Sequence, residues 1–223
     1  MREPKPPSER DWKRAPVLEP RAAPRLPALV SDGAGLPFPP AALTADPVAL
    51  DAADPAVAAL MSLLSGRSIP IAGWRELART ADEALFGRGR PPQLVTVATK
   101  RDTRRDTWTC LAASTAGELR ATRDGIRASS WRPDPTHEPQ PGDTELRILV
   151  TERTFASGQS ASRRVLEPDL YIDENELVLT IYIKPRPGFQ MGARNPETPV
   201  RIALAESLLT RALIDGAVAE QLA

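Results

Sequence analysis

This chain offers few residues that could do chemistry. It has one histidine, His137, and one cysteine, Cys110. That excludes a His-rich metal site, and a lone cysteine cannot form an intramolecular disulfide. A nucleophilic thiol needs a positive partner to lower its pKa, and no histidine lies near Cys110 in the sequence. His137 sits in RPDPTHEPQPGDT, a proline-rich connection where a solvated imidazole is the plain reading. Ser157, Ser160 and Ser162 cluster in ASGQSASRR. A nucleophile elbow requires glycine two residues to each side of its serine. Gly158 precedes Ser160, but Ser162 stands where the second glycine belongs. Glu152, Glu167 and Asp169 can be paired as acid and base only if a pocket brings them together. Gly192 in MGARNP lacks the GKS/T that completes a phosphate loop. What remains is a binding constellation. Ser157, Gln159 and Ser160 lie on one loop, Arg186 and Arg194 on another, and with Tyr182 they can frame an anion. A solvated loop rim is the competing reading. No metal or cofactor is expected.

The stretch that must position these residues is Glu145 to Glu206. Leu146, Ile148 and Val150 share one face of an expected strand. Leu177, Leu179, Ile181 and Ile183 share a face of the longest one, with Val178, Thr180 and Tyr182 opposite. Val200, Ile202 and Leu204 form a third set, and Leu170 and Ile172 mark a short strand. Upstream, further strands are expected over 94–97 and 108–113, joined by the charged tip KRDTRRD. Two more flank Asp124-Gly125, a hairpin dipeptide. Residues 208–223 read as a terminal helix or a docked tail, with Gly216 arguing against one continuous helix.

Two helices are expected before the strands. Asp54-Pro55 supplies a cap and a first-turn proline. Val57, Leu60, Met61 and Leu64 then form one apolar stripe, and Gly66 stands where a left-handed terminator is wanted. The spacing of Trp74, Leu77, Ala78, Ala81 and Leu85, closed by Gly87, predicts the second helix. The first forty residues hold ten prolines among alternating charges. Proline removes backbone donors and biases its neighbours toward extended backbone, so this arm is expected to be disordered. Trp12 in it is a possible partner anchor, or it docks on its own domain.

Composition narrows the partners. Lys plus Arg and Asp plus Glu are 29 each, which argues against a dominant attraction to nucleic acid or an anionic membrane. Apolar runs fall well short of the roughly 18 residues a membrane helix needs. Met1 to Pro7, MREPKPP, carries no apolar export stretch.

The segments TERTFASGQ (151–159) and NPETPV (195–200), with RDGIRASSWRPDP (123–135) and ALIDGA (212–217), resemble a family of uncharacterised extracytoplasmic proteins and lipoproteins of high-GC Gram-positive bacteria. The resemblance spans roughly residues 92–217 and rests on turn-and-strand patterns, so it implies a domain type and no activity. It implies a cysteine at the position of Phe155 and another at that of Met191, one in each long loop, joined as a disulfide. Here a Phe and a Met stand there. A thioether against an aromatic edge is worth about 0.3–1.5 kcal/mol, and a disulfide typically about 2–4 kcal/mol. Phe155 and Met191 are therefore expected to pack together. The loss of both cysteines suggests a cytoplasmic location for the chain as written, and an extracytoplasmic one if the true start lies upstream.

The sequence thus leads to an α+β, mainly β fold: an antiparallel sheet or sandwich-like module with an N-terminal helical hairpin. The expected divisions are a Pro-rich tail over 1–43, helices over 44–90 and a β-rich domain over 91–217. The expected function is a non-enzymatic interaction or structural module, with a protein partner met through the tail or the long loops. A small-ligand-binding domain using loops 154–166 and 185–199 is the alternative, and a hydrolase the remote one. The oligomeric state is left open.

Overall fold

The computed structural model describes residues 7–31, 35–46, 49–91, 93–115, 118–152, 158–187 and 195–218. The chain is mainly β, as its alternating segments require. It falls into two compact units: residues 27–122 form one, and residues 1–26 with 123–223 form the other. The expected boundaries at 43/44 and 90/91 both lie inside the 27–122 unit.

The N-terminal arm departs from expectation. Residues 7–26 are not disordered but hold α1 (Glu9–Lys13), β1 (Val17–Leu18) and β2 (Arg21–Ala22). Ser8 caps α1, its amide and hydroxyl both donating to Asp11 Oδ2 at 2.8 and 2.7 Å. The prolines do not prevent pairing, because Pro16 and Pro20 flank the short strands where their missing N–H is not needed. Their extended bias suits a strand that pairs along one edge. Trp12 is 2% exposed and packs with Ala15 against Leu149, so it docks on its own domain.

The 27–122 unit contains β3 (Leu29–Ser31), α2 (Ala41–Thr44) and α3 (Pro55–Gly66), followed by β4 (Trp74–Arg79), β5 (Glu83–Arg88), β6 (Val95–Asp102), β7 (Thr107–Thr115) and the start of β8 (Leu119–Arg123). β4 to β7 make an antiparallel meander in sequence order, and β3 pairs with β8. α3 begins as expected, with Asp54 Oδ1 accepting from the amides of Ala56 and Val57 at 2.8 and 3.1 Å. Ser68 at φ 56°, rather than Gly66, takes the left-handed position at its end. The stripe Val57, Leu60 and Leu64 buries against Trp74, Phe86 and Val97.

The expected second helix is a β-hairpin, β4–β5, so there is no helical hairpin. Its register shifts between Glu76 and Ala78, a bulge at Leu77. Apolar residues lie on both faces of β4, Trp74 in the layer against α3 and Leu77 on the opposite face over Gly87, and their three-residue spacing mimics a helix turn. Thr80 fixes the turn, its hydroxyl accepting from the Glu83 amide at 3.0 Å. Gly87 does not end a helix. It makes room for Leu77, whose Cδ1 would lie 2.6 Å from a Cβ there.

The other unit is built on β9 (Ile126–Pro133), β10 (Glu145–Thr151), β11 (Asp169–Ile172), β12 (Glu176–Tyr182), β13 (Thr198–Ala203) and β14 (Ala212–Asp215). The strand path runs β1-β13-β10-β9-β12-β11-β2, with β14 parallel to β12. Both ends of that path are supplied by one short segment, since β1 and β2 are separated only by Glu19 and Pro20. Three residue steps span at most about 10 Å. The outer strands β13 and β11 must therefore approach each other, and the sheet curls into a barrel that the arm closes. The three apolar sets read from the sequence meet in its core: Leu146, Ile148 and Val150 with Leu177, Leu179, Ile181 and Ile183, and with Val200, Ile202 and Leu204. Val178, Thr180 and Tyr182 are buried as well, so β12 is covered on both faces. Residues 212–215 are strand rather than helix.

Candidate functional site

β10 and β11 flank the first long loop and β12 and β13 the second, so both loops start and end on strands. The described ends of the loops are tied to one another by side chains. Arg164 grips Glu152 with both guanidinium nitrogens, at 2.6 and 2.5 Å, and donates to the carbonyl of Lys184 at 2.7 Å. The Lys184 amide donates back to the Arg164 carbonyl at 2.8 Å. Asn195 Nδ2 donates to the Glu152 carbonyl at 3.2 Å. Thr198 Oγ1 accepts from the Ala161 amide at 2.9 Å and lies 3.3 Å from Ser160 Oγ. One network thus spans residues 152, 160–164, 184 and 195–198.

The predicted binding constellation is brought together only in part. Arg186 reaches the first loop. Its Nη1 donates to Gln159 Oε1 at 2.9 Å and its Nη2 to the Ser160 carbonyl at 3.0 Å. These bonds commit its outer nitrogens to holding the loop rather than to an anion. Ser157 and Arg194 lie outside the described residues, and so do Phe155 and Met191, with the contact expected between them. Tyr182 does not join the loops. Its ring lies under the Arg123 guanidinium, 4.4 Å from the centroid. Its hydroxyl faces the Asp169 carboxylate. Burial raises the phenol pKa first, and the nearby Asp169 carboxylate adds to the shift.

The carboxylates considered as acid and base are engaged elsewhere. Asp169 Oδ1 accepts from Arg21 Nε and from Arg123 Nη1, both at 2.6 Å, and Glu152 is held by Arg164. Cys110, in the 27–122 unit, is half-buried and donates to the Ala59 carbonyl at 3.3 Å. Burial raises its thiol pKa, the opposite of what a nucleophile needs. His137 Nε2 stands 4.0 Å from Asp143 on the surface. Among the described residues no three His, Cys, Asp or Glu side chains are grouped to hold a metal.

Sequence reasoning missed the groove beside this network. It measures about 490 Å³. Ser160, Ser162, Pro196, Glu197 and Pro199 line one side, and Pro7, Ser8, Asp11, Arg14 and Ala15 line the other. Glu197 is fixed there by a bidentate pair with Arg132 at 2.8 and 2.7 Å. The Asp11 carboxyl is held below its ordinary pKa by the Ser8 hydroxyl and amide. Arg14 is exposed at the rim. The groove therefore offers hydroxyls, two fixed carboxylates and a cation above proline walls, a surface suited to polar recognition. No signal near residues 7–15 pointed to it, because this wall is formed by pairing across more than a hundred residues. No family model, curated protein or solved structure matches the chain.

Proposed function

We propose that this chain is a non-enzymatic binding module whose groove takes a polar, extended peptide segment of a protein partner. The observation that carries the reading is the network at the loop roots. Arg164, Arg186, Asn195 and Thr198 fix both loop ends beside the groove, and fixed loops on a rigid scaffold bind with less ordering cost. Its mixed rim of hydroxyls, carboxylates and Arg14 complements peptide amides and charged side chains better than an apolar ligand.

Panning the full chain against a displayed random-peptide library tests this. Enriched peptides are expected to bind Arg14→Ala at least about tenfold more weakly, the size of a typical anchor loss, and to bind Arg186→Ala more weakly as well, because the loop it holds at Gln159 and Ser160 is released. No enrichment, or enriched peptides indifferent to both variants, overturns it. A second reading, a small-ligand site using loops 154–166 and 185–199, is favoured by the groove volume, which lies within the usual range for such sites. A small-molecule library that raises Tm in the wild type but not in Arg186→Ala would select it.

A further inference from the structure

We infer that the N-terminal arm is a dockable wall of this groove, held in place by Trp12, so that the site exists only while the arm is down. This rests on the groove being the binding site and adds its regulation.

Half of the groove lining comes from residues 7–15, and the other half from residues 160–162 and 196–199. The first half has no site of its own without the second. The wall-forming part of the arm, residues 7–15, is held lightly, whereas its far end is anchored by Arg21 on the buried Asp169 carboxylate and Arg25 on Glu176. β1 pairs with β13 through Val17↔Arg201 and Leu18↔Ile202 only, and β2 with β11 through Arg21↔Asp169 and Ala22↔Leu170 only. Within α1, Trp12 alone is buried. Its neighbours in that hold are Ala15, Leu149 and the Arg147 guanidinium, 5.7 Å from the ring centroid, while Glu9 adds an exposed pair to Arg147 at 3.6 Å. Docking leaves Trp12 Nε1 buried without a hydrogen-bond partner. Undocking returns that donor to water, which offsets part of the apolar burial lost. Few buried contacts and short ladders are the marks of a segment that opens below the global unfolding free energy.

The barrel strands differ. β9, β10, β12 and β13 bury thirteen residues together with their neighbours in one core. They can remain paired when the arm lifts. An occupant that touches both walls would favour the docked state, because a ligand shifts an equilibrium by its differential affinity for the two states. Trp12 is thus a positioning residue, and a peptide bound across Arg14 and Ser160 closes the arm behind it.

Hydrogen exchange of the full chain tests the wall independently of any peptide. In the wild type, residues 9–15 should exchange faster than β9, β10 and β12. Trp12→Ala should speed exchange over residues 9–15 by about tenfold or more and leave those strands protected, whereas Trp12→Phe should restore most of the protection. Unchanged arm exchange in Trp12→Ala, or equal loss across the barrel strands, overturns the inference. Any peptide enriched in the panning should slow exchange of residues 9–15 in the wild type and lose affinity for Trp12→Ala. Peptides that bind both forms equally, with an arm demonstrably released, also overturn it. Peptides indifferent to Arg14→Ala and Arg186→Ala instead overturn the binding site itself.

Discussion

The two units hold their charges in different ways. In the barrel, charged side chains are drawn inward and locked: Glu152 with Arg164, and Asp169 with Arg21 and Arg123, keep side-chain exposures of 5% and 6% at their carboxylates. In the 27–122 unit the ion pairs of the meander ride on its surface, as Lys100 with Glu83 and Arg101 with Asp106 do, while Arg120 beside Glu118 is the buried exception outside the meander. The physics differs accordingly. A buried charge that loses its partner is left desolvated and uncompensated, while an exposed one is taken up by water. The barrel therefore uses ion pairs to fix geometry at the loop roots, and the other unit relies on its apolar layer of α3 against the meander.

The sharpest way to break this contrast is to remove one partner on each side. Glu152→Ala should destabilise the barrel by about 3–5 kcal/mol, because Arg164 stays behind with its charge. Lys100→Ala should cost the other unit less than about 1 kcal/mol. Denaturant unfolding followed by tryptophan fluorescence can report each unit separately in backgrounds where either Trp12 and Trp131 of the barrel or Trp74 and Trp108 of the other unit are replaced by Phe. Replacing both Glu152 and Arg164 by leucine should recover most of the loss, since the uncompensated charge, not the missing attraction, carries it. Equal effects from Glu152→Ala and Lys100→Ala would remove the distinction.

The same contrast explains what the sequence could reveal. The barrel strands were legible because each presents one face to a single core, so Leu146, Ile148 and Val150 alternate without interruption. β4 was not legible, because apolar residues on both of its faces, Trp74 on one and Leu77 on the other, give a spacing that also fits a helix turn. The arm was not legible either. Two-residue strands carry no periodicity, and their partners lie about 150–180 residues away. At the site, Arg186 and Ser160 could be nominated from charge and loop position. The Thr198 hydroxyl and the Arg164–Glu152 clasp could not, since a single long-range hydrogen bond leaves no pattern in the chain. The wall formed by α1 was hidden for the same reason.

Close backbone packing gives an intermediate effect and again separates the units. A Cβ at Gly216, where β14 ends against β12, would lie 2.1 Å from Thr180 Oγ1 and 3.0 Å from Val178 Cγ1. Both neighbours are β-branched and stiff about χ1. A Cβ at Gly87 would meet the flexible end of Leu77 at 2.6 Å. Gly216→Ala should therefore cost about 1–3 kcal/mol through overpacking, and Gly87→Ala less, because Leu77 can turn away. Thermal unfolding of the two variants orders them, and a larger loss at Gly87 would show that the meander is the more tightly packed region.

Alkaline pH yields the smallest and most selective test. Tyr182 in the barrel and Cys110 in the other unit both have raised pKa values, chiefly through burial. Folding thus favours the protonated form of each. Their contributions are complete below the pKa of the unfolded chain and fade as pH rises from there toward the folded pKa. That loss should begin near pH 8.5 for the Cys110 unit and near pH 10 for the barrel, following the ordinary pKa values of about 8.5 and 10. The Asp169 carboxylate strengthens the barrel effect, and the Arg123 and Arg21 guanidiniums oppose it. Tyr182→Phe isolates it. The hydroxyl faces the Asp169 carboxylate, which Arg21 and Arg123 already hold, so at neutral pH the variant should lose no more than about 2 kcal/mol. Above pH 10 the variant should hold its barrel stability better than the wild type, while Cys110→Ala changes only the response of the other unit. Parallel pH profiles for Tyr182→Phe and wild type would mean that the phenol gains no protection from burial under Arg123, and that β12 is open to solvent on that face.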